Sequence, residues 1–173
     1  MLFALMALAA AQAAPVAQAY PDPLGPAANG QVQCYAPTDH KTCASMAAYT
    51  ANGDGTYANV ATVLLSKQPL VVLQTTTPVS LKSGAVCGAV RQQDIAAATL
   101  SVNGQAVPAD KAAPILAHIS VALGSIIDHE ICTAYVPDGA GLVAKATMDG
   151  KPQPNQDQKV IWVSPADGYS VAP

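Results

Sequence analysis

The sequence predicts an α+β domain: antiparallel β-strands with one principal α-helix, over about 110–127, packed on a sheet and stapled by disulfides. Three observations lead there. Short runs rich in Val, Leu, Ile and Thr alternate with Asn-Gly and Asp-Gly pairs, which tolerate the positive φ of tight hairpins. One stretch repeats its apolar residues at helical spacing. Four cysteines, an even number, stand in a chain whose first residues have the form of an export signal.

The composition sets outer bounds. The chain has 173 residues, of which 51% are apolar and 11% charged, with a formal net charge of −3. That charge argues against a nucleic-acid protein, which needs a cationic face to neutralise phosphates. The apolar fraction argues against a disordered chain, which buries too little surface to offset its entropy. The acids are ten Asp and one Glu, Glu130; the bases are seven Lys and one Arg, Arg91.

Residues 1–19 are uncharged, with a compact apolar run from Leu2 to Ala10 and small-x-small cleavage sites ending at Ala13 and Ala19. They read as a signal peptide, and the run is too short to span a bilayer, which takes about 20 apolar residues. Residues 20–30 hold Tyr20-Pro-Asp-Pro-Leu-Gly-Pro26 and read as a Pro-rich tether, because Pro lacks an amide donor. Residues 31–173 read as a single domain, since no linker interrupts them.

Strands are expected at Ala58 to Leu65, Leu70 to Thr77, Ala85 to Val90, Ile131 to Val136, Leu142 to Met148 and Val160 to Val163. A further short hairpin is expected over Thr99 to Val107, turning at Asn103-Gly104. Asp110 to Ile127 places Ile115, Leu116, Ile119, Leu123, Ile126 and Ile127 at steps of three, four and one, the stripe of a half-buried helix. Its uncharged run carries Pro114, His118 and Ser120 and is short for a membrane, so the mature chain is read without a membrane span.

Cys34, Cys43, Cys87 and Cys132 imply two disulfides in an oxidising compartment. Four cysteines allow three pairings. Cys34–Cys43 closes a short loop turned by Pro37, and Cys87–Cys132 would clamp the strand before the helix to the strand after it. A competing arrangement comes from the repeat Asp39-His40-Lys41-Thr42-Cys43 and Asp128-His129-Glu130-Ile131-Cys132. Two His-x-x-Cys pairs would supply His40, Cys43, His129 and Cys132, a set zinc accepts.

Catalytic signatures are sparse. The chain has no Gly-x-Ser-x-Gly elbow, no His-Glu-x-x-His and no phosphate-binding Gly-rich loop, and no cofactor is expected. The densest titratable cluster is Asp128, His129 and Glu130, where His129 could serve as a general base. Arg91 has Asp94 three residues on as a natural ion-pair partner. Trp162 and the six Tyr form no obvious stacking stripe.

The run from Cys34 to Gly88, with Pro69-Leu-Val-Val-Leu73, resembles exported bacterial proteins related to invasion-associated locus B. The long helix and the later elements depart from that pattern, and no site residue is carried over. The reading is an exported domain, periplasmic or secreted, that binds a protein or cell-envelope component without catalysis and without nucleic acid. The alternative is a small hydrolase or zinc-dependent enzyme using Asp128, His129 and Glu130. Ligand and oligomeric state are left open.

Overall fold

The computed structural model describes residues 22–173. The leader expected over 1–19 lies outside the described residues. After a 3₁₀ turn at Gly25–Asn29, the first strands are β1 (Val32–Tyr35), β2 (Thr42–Cys43), β3 (Ser45–Ala51), β4 (Thr56–Lys67), β5 (Leu70–Lys82) and β6 (Ala85–Gly88). An insertion follows, with α1 (Gln92–Ala96), the hairpin β7 (Thr99–Val102) and β8 (Gln105–Ala106), and α2 (Ala109–Ala122). The chain returns as β9 (Ile131–Asp138), β10 (Gly141–Met148), β11 (Lys151–Pro152), β12 (Gln158–Val163) and β13 (Ser170–Val171).

Eight of these strands close into an antiparallel barrel, which overturns the expected sheet with one principal helix. Around the ring run β1, β3, β4, β5, β6, β9, β10 and β12, each paired with the next in that order, and β12 pairs back to β1. Closure is set by two contacts: Val32 opposite Val163 on β12, the last strand of the barrel, which no local pattern announces, and Cys87 opposite Cys132 across the insertion, the clamp expected from the cysteines. The expected helix is also shorter than 110–127. It ends at Ala122, and a run of turns through Gly124 and Ser125 carries the chain to β9. Gly is a poor helix former, and it sits where the apolar stripe alone predicts more than one further turn.

Alternation along the strands divides inside from outside. Gln33 and Tyr35 of β1, Ala47 and Tyr49 of β3, Val79 of β5, Tyr135 of β9, Ala144 of β10 and Val160 of β12 face inward. The N-terminal segment expected as a tether contributes Leu24, which is 2% exposed, to this interior. Ala27, Tyr57, Leu142 and Trp162 pack against the same interior cluster.

Two further clusters lie outside the barrel. Leu73 and Leu100 receive Ala112 and Leu116 of α2, while Ile115 remains 44% exposed. Cys34, Cys43 and Val163 form the other, covered by Tyr169 near the C-terminus. The disulfides are Cys34–Cys43 and Cys87–Cys132, bonds of a chain matured in an oxidising compartment. No described helix is long and apolar enough to cross a membrane.

Gly88 shows how tightly the ring is drawn. A Cβ there would lie 2.8 Å from Val79 Cγ1 and 3.0 Å from the Pro78 carbonyl, so only glycine lets β6 approach β5 this closely.

Candidate functional site

An eight-stranded barrel is just wide enough to be filled by side chains or to hold one small ligand. Here small inward residues leave room. Ala144 and Ala146 of β10 and Thr133 of β9 line a cavity of about 460 Å³, joined by Ile131, Met148 and Gln158. Ser125 and Ile126 from the end of the insertion, with Gln153 and Gln156 beside β11, form its rim. A second cavity of about 180 Å³ lies between β4, β5 and β6, walled by Asn59, Ala61, Thr75, Thr77 and Gly88, with Ala89 and Val90 at its edge. Tyr35, Ile131 and Thr133 belong to both walls. The two spaces are therefore adjoining compartments of the lumen.

Three tyrosines meet in this lumen. The hydroxyls of Tyr35, Tyr49 and Tyr135 lie at 2.9, 2.9 and 3.0 Å from Gln33 Oε1, within hydrogen-bond distance of it. Tyr35 and Tyr135 also share a hydroxyl–hydroxyl bond of 2.6 Å. Strand geometry explains the convergence. Gln33 and Tyr35 are two apart on β1 and so share a face, while Tyr49 and Tyr135 come from strands on opposite sides of β1. Burial pushes the Tyr49 and Tyr35 phenols far above their ordinary range, reinforced by the neighbouring Tyr135. Tyr35 and Tyr49 therefore enter the cluster as neutral phenols.

Among the described residues, two buried polar atoms in this region lack a hydrogen-bond partner: Gln33 Nε2 and Asn59 Oδ1. Tyr49 stands between them, bonded to Gln33 and opposite Asn59 in the β3–β4 register. Among the described residues, no Asp, Glu, Lys, Arg or His lines either cavity.

The residues singled out from the sequence lie elsewhere. Asp128, His129 and Glu130 are exposed, and each goes its own way. The Asp128 amide donates to the Val90 carbonyl, His129 Nδ1 contacts Asp149 Oδ2 at 2.5 Å, and Glu130 pairs with Lys82. The His129 contact and the Glu130 amide hold the Asp149 carboxyl below its ordinary range. None of the three lines the lumen cavities. His40 sits on an exposed loop beside Thr38. Cys43 and Cys132 are each tied into a disulfide, so neither presents a thiolate for the His40–Cys43–His129–Cys132 set. Among the described residues no group of three or more His, Cys, Asp or Glu is placed to hold a metal.

Arg91 meets Asp94 in a two-pronged pair, Nε to Oδ2 at 3.0 Å and an Nη to Oδ1 at 2.8 Å. Asp94 also accepts the Arg91 backbone N–H at 3.0 Å, closing the first turn of α1. The pair is structural, and neither residue lines the two cavities.

Sequence reasoning missed Gln33, Tyr35, Tyr49, Asn59 and Tyr135. The available signal was the polar-aromatic pair Gln33-x-Tyr35 in a short β-type run, but the strand itself went unread. No family model, curated protein or solved structure matches this chain.

Proposed function

We propose that this chain is an exported, non-catalytic binding protein that holds a small uncharged molecule in the open end of its barrel. The observation that carries the reading is the lumen itself, a space of about 460 Å³ whose wall bears no charged side chain. Ligand sites for small molecules occupy about 300–1,000 Å³ and are mostly apolar with a few polar groups. An uncharged wall disfavours an ion, because a desolvated charge with no partner is costly. The exposed, dispersed placement of Asp128, His129 and Glu130 supports binding over hydrolysis. The signal-like leader and the two disulfides support a periplasmic or secreted location.

The test uses N-phenyl-1-naphthylamine, a neutral dye whose emission rises in apolar surroundings. The purified, disulfide-bonded protein should saturate at one equivalent of dye. Ala146→Trp, which fills the larger cavity, and Ala61→Phe, which fills the smaller, should each weaken binding about tenfold or more while retaining a cooperative unfolding transition. No saturable binding, or binding unchanged in both filled variants, would show the lumen is not the site.

A further inference from the structure

We infer that Cys132 is a site of thiol–disulfide exchange: the Cys87–Cys132 bond is open to an exported dithiol, at a rate set by the neighbouring Lys82–Glu130 pair, and Cys34–Cys43 is closed to it. The inference goes beyond the binding function proposed above and does not depend on it. It begins from an asymmetry in burial. Cys34 and Cys43 are both 0% exposed, in a cluster with Val163 that Met46 and Tyr169 pack against. Cys87 is 2% exposed, but Cys132 is only partly buried. Exchange requires an attacking thiolate to reach a sulfur, so access selects both the bond and the sulfur that is attacked.

Strand alternation puts this bond on the outer face of the seam that closes the barrel across the insertion. β6 meets β9 through Val86–Thr133, Cys87–Cys132 and Gly88–Ile131. Val86, Gly88, Ile131 and Thr133 wall the smaller cavity, so the cysteines between them point the other way. There Glu130 Oε2 lies 3.8 Å from Cys132 Sγ, and Glu130 is paired with Lys82. The carboxylate repels an incoming thiolate and the ammonium attracts it, so the pair holds two opposed effects beside one sulfur. In the exchange, one thiolate of the dithiol attacks Cys132 Sγ. The Sγ–Sγ bond breaks, and Cys87 leaves as a thiolate that takes a proton from water. The second thiolate of the partner then attacks the partner's own sulfur in the mixed disulfide and frees Cys132. Two electrons pass to the protein, and the dithiol ends as a disulfide.

Limited reduction of the folded protein by dithiothreitol, followed by alkylation and peptide mapping, tests this. Cys87 and Cys132 should be labelled about tenfold faster than Cys34 and Cys43. With the monothiol 2-mercaptoethanol and an acid quench, the mixed disulfide should be found on Cys132 and not on Cys87. Glu130→Gln should speed the reduction about threefold and Lys82→Gln should slow it about threefold, with both effects shrinking in about 1 M salt. If the ion pair only braced the seam, both substitutions would speed it. The wild-type labelling and the position of the adduct stand even where a variant does not fold. Equal labelling of the two disulfides, an adduct on Cys87, or faster reduction in both variants would overturn the exchange site.

Discussion

Gln33 is fully buried inside a barrel whose other interior residues are mostly Ala, Val, Leu and Tyr. A buried amide is tolerable only when hydrogen-bonded, and three tyrosine hydroxyls meet its oxygen. The same cluster gives the protein an alkaline limit. Burial raises the folded-state pKa of Tyr35 and Tyr49 above the unfolded value of about 10. Below pH 10 both states carry the proton and stability is unaffected. Above it the unfolded chain releases protons that the folded chain keeps, so stability falls as pH rises. Unfolding free energy from urea titrations should be flat from pH 7 to 9. It should then drop by up to about 1.4 kcal/mol per pH unit for each of these tyrosines. Tyr49→Phe should shallow that slope. A slope unchanged in the variant would show that Tyr49 ionises freely in the folded state.

At the scale of elements, the hairpins follow local chemistry closely. Asn103-Gly104 and Asp149-Gly150 both adopt positive φ at each central residue, as the sequence reading requires of them. β5, β9, β10 and β12 begin within a few residues of the positions read from their β-branched runs, and β5 extends beyond its expected end to Lys82. β1 and β3 went unread because Val-Gln-Cys-Tyr and Ser-Met-Ala-Ala-Tyr-Thr-Ala carry few β-branched residues; their strand character comes from neighbours on both sides. In α2 the stripe named the right element and the wrong burial for one member. Leu116 is 5% exposed against Leu73 and Leu100, but Ile115 lies outward. Leu116→Ala should therefore cost about 2–5 kcal/mol in urea unfolding, the range for a truncated core leucine. Ile115→Ala should stay within about 0.5 kcal/mol. Equal losses at both positions would mean that the helix buries a wider face.

For the molecule as a whole, the two disulfides act at different ranges. Cys34–Cys43 spans nine positions of sequence and Cys87–Cys132 spans 45, closing the barrel across the insertion. In the chain-entropy account the short loop contributes about 2.5–3 kcal/mol and the long one about 4 kcal/mol. Replacing Cys87 and Cys132 together by Ala should lower stability more than the same change at Cys34 and Cys43, as read by denaturant midpoints. A larger loss from the short loop would place the weak seam of the barrel at β1 instead of β6–β9.

The sequence by itself determined the cysteine pairing preference, the turns, most strands and the Arg91–Asp94 pair, because each depends on residues near in sequence or on simple parity. The tertiary structure alone decided that the sheet closes. Closure is a pairing of the first strand of the barrel with its last, and neither β1 nor β12 carries a local mark of its partner. The candidate site was illegible for the same reason. Gln33, Tyr49, Asn59 and Tyr135 are scattered along the chain and become one polar lining only when alternation on a closed ring turns them all inward. Asp128, His129 and Glu130 drew attention by adjacency in sequence, but adjacency on a turn sends side chains outward to separate partners.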